Sequence, residues 1–145
     1  MTASAGTTIV VGVDGSDHAD RALAWAIDEA KLRTARMRAV TAWHVPAMVY
    51  GASGFVPAVS PSADEIRTVA EEAAEAAAEK ARGSGVDVET SVQHGQAADV
   101  LINAAADAEL LVVGSRGHGG FAGLLLGSVS AQCAQHAPCP VVIVR

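Results

Sequence analysis

The sequence predicts a single-domain α/β protein built on a parallel sheet. Three observations carry that prediction. Five short apolar runs alternate with four helical patterns along 145 residues, the order produced by right-handed strand–helix–strand crossovers. The first of these runs is nearly continuous in apolar residues, as strands covered on both faces are. The fourth run, Leu110 to Val113, opens onto six of the chain's 14 glycines, at positions 114, 117, 119, 120, 123 and 127. Glycine that dense costs backbone entropy and needs a use.

The elements follow in order. Residues 1–7 are small and polar and read as a frayed tail. Thr8 to Val13 is the first strand, and Asp14-Gly15-Ser16 turns it. Ser16 is placed to cap a helix whose first turn holds Asp17 and Asp20. Ala19, Ala22, Leu23, Ala26, Ile27 and Ala30 give that helix a 3.6-residue stripe, and Lys31, Arg33 and Arg36 suit its end. Arg38 to Val45 is the second strand, stopped by Pro46. Residues 46–62 mix three prolines with Met48, Val49, Tyr50, Phe55 and Val56. They read as a surface loop, with a lid over a ligand or a partner-facing patch as alternatives.

Ala63 to Arg82 is an alanine-rich helix with a capping box, Ser62 and Glu65. Its inner stripe is expected at Ile66, Val69, Ala73 and Ala77; Glu71, Glu72, Glu75 and Glu79 read as a solvated face. Gly83-Ser84-Gly85 stops it. Asp87 to Gln93 alternates and suits a peripheral strand. Ala97 to Ala106 is a short helix with Leu101 and Ala105 inward. After the glycine segment, Ser128 to His136 is the last helix and Val141 to Val144 the last strand.

Bare backbone N–H groups beside a helix start are the ordinary use of a glycine-rich strand-to-helix segment, because together they attract an anion. The spacing narrows the choice. A P-loop requires a lysine after its last glycine; the chain's lysines are Lys31 and Lys80. Gly117 to Ala122 fits G-x-G-x-x-A, but it begins a turn past the strand. The acidic residue that motif needs about 20 positions on is also missing, since Val142 and Ile143 fall there. The pattern that remains is Gly114-x2-Gly117-x9-Gly127-Ser128.

Composition bounds the partners. The chain is 50% hydrophobic and 18% charged, enough apolar content for a real core, and its formal net charge is −6. That sign repels nucleic acid and anionic membrane, so an anionic ligand must be held by local dipoles. No run of 18 apolar residues suggests a membrane span. The first residues, Met-Thr-Ala-Ser-Ala-Gly, lack the marks of a secretory signal. Cys133 and Cys139 are too few for a disulfide framework and lack C-x-x-C spacing. They read as inert thiols, and the expected compartment is the cytoplasm.

The G-x2-G-x9-G-[ST] pattern resembles the signature of the universal stress protein family, on the branch whose members bind ATP. The resemblance extends to Val-Gly-Val-Asp-Gly-Ser (11–16), Trp-His-Val (43–45), Gly-Ser-Val-Ser (127–130) and Cys-Pro-Val-Val-Ile-Val (139–144). It implies one three-layer doubly wound domain over residues 1–145, with strand order 3-2-1-4-5 and helices on both faces. By the same resemblance, Gly12, Val13 and Asp14 contact base and ribose, and the Val45 backbone meets the adenine edge. Gly114, Arg116 and Gly117 begin the phosphate loop; Gly127, Ser128, Val129 and Ser130 end it. The implied ligand is ATP, with or without Mg²⁺. The implied assembly is a homodimer through the C-terminal strand, acting as a regulatory stress-response sensor with an unknown protein partner. Val13 departs from the pattern in offering no hydroxyl.

Each polar candidate has two readings. Asp14 would accept from ribose hydroxyls or reach Mg²⁺ through water, or it caps the first helix. Arg116 and His118 would meet phosphate oxygens, or they face solvent. Ser128 is a helix cap in either case. Trp43 and His44 read as packing. No general base stands near an expected γ-phosphate, so binding with little or no turnover is expected, at most a slow ATPase. A dimeric module that works without nucleotide is the alternative.

Overall fold

In the computed structural model, which describes residues 6–45, 61–117 and 126–145, the expected strands form one five-stranded sheet in the order β3-β2-β1-β4-β5. The elements are β1 (Thr8–Gly12), α1 (Asp17–Arg33), β2 (Arg36–Trp43), α2 (Ala63–Gly83), β3 (Val88–His94), α3 (Ala97–Ala104), β4 (Leu110–Gly114), α4 (Ser128–His136) and β5 (Val141–Val144). Every strand pair is parallel.

Alternation along the strands makes two cores. Ile9, Val11, Met37, Ala39, Leu110 and Val112 point to one face, where they meet Leu23, Ala26 and Ile27 of α1 and Ala77 and Ala81 of α2. Val10, Val40, Leu111 and Val113 point to the other, beneath Val100 and Leu101 of α3 and Cys133 of α4. Central β1 and β4 are therefore apolar at consecutive positions because both of their faces are covered. Outer β3 is mostly exposed or half-buried, and β5 is half-buried throughout. Arg38 ties the sheet's margin together. Its guanidinium donates to Glu89 on β3 at 2.6 Å, to Asp107 at 3.1 Å and to the Ala104 carbonyl at 3.0 Å, and it holds the Asp107 carboxyl below its ordinary range.

The helix starts behave as their sequences dictate. Ser16 caps α1 by accepting from the Ala19 N–H at 3.2 Å, and Ser62 and Glu65 form the reciprocal capping box of α2. The boundaries of α1, β2 and α3 differ from expectation by two or three residues. Thr34 takes a left-handed conformation (φ 52°) that ends α1 at Arg33, so Arg36 opens β2 instead of finishing the helix. It faces Asp87 at 3.3 Å. The strand β2 stops at Trp43, short of Val45, and α3 stops at Ala104. In α4 the N-cap is Gly127, and Ser128 is the first helical residue.

The inner face of α2 is also rotated from the expected stripe. Ala70, Ala74, Ala77, Ala78 and Ala81 are buried, while Val69 is 65% exposed. Alanine carries no bulk beyond Cβ, so this face lies close on the sheet and the larger Val69 turns outward. Of the 46–62 connection, residues 46–60 lie outside the described residues, as do residues 1–5 of the expected tail. Among the described residues no helix is long and apolar enough to cross a membrane.

Both cysteines are free thiols. Cys133 is fully buried in the α3–α4 core, and desolvation raises its pKa from 9.0 to about 11. A thiol that holds its proton more tightly when folded contributes stability below the unfolded pKa and loses it as pH climbs through the folded one. Stability should therefore fall between pH 9.0 and about 11, by roughly 2–3 kcal/mol from this group. Denaturant midpoints across that window, compared between wild type and Cys133→Ala, check it: the Cys133→Ala protein should show the shallower fall.

Candidate functional site

The adjacency of β1 and β4 creates the site. Ile9 pairs with Leu110 and Val11 with Val112, so the two strands end side by side and their loops leave from one edge of the sheet. β1 runs on to β2 on one side and β4 to β5 on the other, which makes this the switch point of the winding. A cavity of about 300 Å³ opens there.

Its walls have two characters. One end is lined by loop backbone: Gly114, Arg116 and Gly117 after β4, and Gly127 to Ser130 at the start of α4. The other is apolar, from Val40 and Ala42 on β2, Leu101 on α3 and Val113 on β4. Gly12, Val13 and Asp14 run between them. Among the described residues expected from sequence to form the site, only Val45 does not line the cavity; it lies just past the end of β2 and is 49% exposed. His118 lies outside the described residues. Sequence reading missed the apolar wall. The i, i+2 spacing of Val40 and Ala42 puts them on one face of a strand, but only the fold shows which face.

The start of α4 is electropositive by construction. Its N-cap glycine offers no side chain, and no side-chain cap forms. The first intrahelical bond runs from the Ala131 N–H to the Gly127 carbonyl at 3.1 Å. The N–H groups of Ser128, Val129 and Ser130 precede it, at the positive end of the dipole and on the cavity wall.

Asp14 does not cap α1, since Ser16 is its N-cap, but it supports that cap. One oxygen, Oδ1, accepts from the Ser16 N–H at 2.9 Å and the Ser16 hydroxyl at 2.5 Å. It thereby fixes the residue that caps α1. The other, Oδ2, faces the loop after β4: a Cβ on Gly117 would come within 2.8 Å of it. Gly117 is thus small because a pinned carboxylate occupies the space its side chain would need.

Gly114 has a different reason. A Cβ there would lie 2.7 Å from the backbone carbon of His18 and 2.8 Å from its oxygen, so the first glycine of the signature lets α1 approach the end of β4. The same approach brings His18 to the loop. Its Nδ1 lies 3.2 Å from the Ser115 hydroxyl and 3.3 Å from Arg21. Arg21 can only donate, so its contact needs the Nδ1 lone pair, whereas the Ser115 hydroxyl can donate to Nδ1 or accept from it according to the tautomer. Trp43 packs as expected, edge-on to His94 with centroids 4.7 Å apart. Among the described residues no group of three or more His, Cys, Asp and Glu side chains is gathered for a metal ion.

Comparison with known proteins agrees with this architecture. The profile of the universal stress protein family matches residues 7–145. Universal stress protein Rv2624c of Mycobacterium tuberculosis is 36% identical over 146 residues, a match covering 95% of this chain and 48% of the relative. The chain thus spans about half the length of such mycobacterial relatives. YxiE of Bacillus subtilis is 35% identical over 147 residues, covering 94% of this chain and 97% of its own. Among solved structures, a universal stress protein in complex with cAMP matches with a TM-score of 0.72 at 31% identity, covering 98% of this chain and 99% of that one. The Archaeoglobus fulgidus protein in complex with dAMP matches at 0.71 and 25% identity, covering 96% and 98%.

The close approach at Gly114 makes a stability prediction independent of any ligand. Gly114→Ala forces a methyl into helix backbone and should destabilise the free protein by about 1–3 kcal/mol. At Gly127 the nearest atoms to an added Cβ are 3.4 Å away and φ is −75°. Gly127→Ala should cost less than about 1 kcal/mol, mostly as a poorer cap. Paired thermal melts of the two variants check this, and equal losses would refute the packing role.

Proposed function

We propose that this chain, which belongs to the universal stress protein family, binds an adenine nucleotide at the switch-point cavity and acts as a regulatory sensor with little or no turnover. The observation that carries this reading is the two-ended cavity. Loop backbone and a helix N-terminus face one end, and Val40, Ala42 and Leu101 face the other, within one space of about 300 Å³. A nucleotide has the same division, an anionic phosphate group and a flat apolar base. The complexes of similar proteins with cAMP and dAMP support the adenine assignment.

ATP is the proposed ligand. Successive N–H groups at Ser128, Val129 and Ser130, with Arg116 beside them on the wall, suit a polyphosphate. Asp14 suits the ribose, or a Mg²⁺ ion reached through water. Little or no turnover is proposed because Asp14 is the one carboxylate among the described residues lining the cavity, and one of its oxygens, Oδ1, is committed to two bonds from Ser16. The half-buried edge strand β5 is the proposed contact with a second copy, since an unpaired edge accepts another strand.

Mass spectrometry of small molecules released from the denatured protein, followed by calorimetric titration with ATP, AMP and cAMP, tests this reading. Saturable binding of at least one adenine nucleotide is expected. Gly117→Glu sets a carboxylate against Asp14 and the phosphates, and should weaken ATP binding roughly 100-fold, about 2.7 kcal/mol. No binding at millimolar ligand by the wild type would overturn the proposal.

A further inference from the structure

The Ser115 peptide is held from four directions. Its N–H donates to the Val144 carbonyl of β5 at 2.8 Å. Its hydroxyl hydrogen-bonds with Nδ1 of His18 on α1 at 3.2 Å. Its carbonyl accepts from the Gly127 N–H at 2.7 Å and from the Ser130 hydroxyl at 2.9 Å. That one carbonyl therefore holds together the two ends of the glycine segment, one just past β4 and the other at the start of α4. Of its two donors, Ser130 is the one whose bond depends on a side chain.

The chemistry of a hydroxyl limits what else Ser130 does. It has one proton. That proton is shared between the Ser115 carbonyl and the Gly127 carbonyl, the latter at 3.1 Å. Ser130 is 2% exposed, so water does not readily replace either acceptor. What the oxygen has left is lone pairs, and a phosphate at neutral pH also presents lone pairs. A phosphate oxygen beside this hydroxyl would meet repulsion unless the Ser115 bond broke. Breaking it would leave a buried carbonyl short of a donor, at a cost comparable to the bond gained.

We propose that the Ser130 hydroxyl is a latch which positions the phosphate cradle, and that it is not itself a phosphate ligand; its backbone N–H remains free for that role. The proposal rests on the nucleotide-binding reading for its functional consequence, but the latch exists without ligand. By fixing residues 115 and 127 against each other, it holds the start of α4 in place beside the end of β4 before an anion arrives.

Two measurements test it. In the free protein, amide exchange at Gly127 reports the latch directly. Ser130→Ala should exchange this amide roughly tenfold faster than wild type, and Ser130→Thr should restore protection. In titrations, Ser130→Ala should weaken ATP and AMP roughly tenfold and leave adenosine nearly unchanged, with Ser130→Thr again restoring affinity. A merely structural role would lower the melting temperature without discriminating among these three ligands. Unchanged Gly127 exchange, equal losses for adenosine and ATP, or a complex with Ser130 Oγ within 3.2 Å of a phosphate oxygen would each overturn the latch. If the wild type binds no nucleotide, the nucleotide-binding reading fails and the Gly127 exchange still decides the latch. If Ser130→Ala does not fold, the wild-type complex and the Ser130→Thr protein decide it.

Discussion

The pairing of β1 with β4 is the constraint on which the site depends. These strands are far apart in sequence, yet Val10 lies opposite Leu111 in the middle of the sheet. Each needs cover on both faces, and the centre of the sheet is where both faces are covered. Once they are neighbours, the turn at Asp14 and the glycine loop leave from the same edge. No side chain in the cavity has to reach far. The site is a consequence of where the two most deeply buried strands lie.

The glycines then solve separate problems that share one signature. Gly114 admits the first turn of α1, whose His18 backbone occupies the space of its missing side chain. Gly117 leaves room for Asp14, which is itself held by Ser16. Gly127 caps α4 without competing for the helix's first N–H groups. Helix packing, a fixed carboxylate and a helix cap thus each call for glycine within one short pattern. A spacing can look like a ligand motif while its first member is set by helix packing alone.

This explains what was and was not legible in the sequence. The strands read clearly because apolar runs of that length have few other uses, and the caps at Ser16 and Ser62 were plain from residue type and position. The strand order came from the family resemblance, since periodicity says which residues are buried but not which strands are neighbours. The face of α2 was misjudged because alanine sits on nearly every side of that helix. With alanine tolerated both inside and outside, the large residues are a poor guide, and Val69 is 65% exposed. The end of α1 was set by the left-handed Thr34, a conformation that a non-glycine residue does not advertise. In the site, the backbone-lined end was legible from glycine spacing. The apolar end needed Val40, Ala42 and Leu101 brought together from two elements distant in sequence.

A net charge of −6 leaves an anion with no general reason to approach this protein, so what holds it must act at short range. Helix dipoles and N–H groups do so, because their field falls off within about a turn. Short range in turn demands that the donors stand in place beforehand, since a displaced amide contributes little. Glycine-rich backbone is the least suited to stand in place unaided. The Ser115 carbonyl, gripped by Gly127 and Ser130 while its own N–H is tied to β5, supplies the missing rigidity from the sheet itself. On the proposed nucleotide-binding reading, the freedom that lets bare backbone approach a phosphate and the fixity that makes the approach worthwhile are assigned to different residues. Glycines provide the first, and two serines, one through its carbonyl and one through its hydroxyl, provide the second.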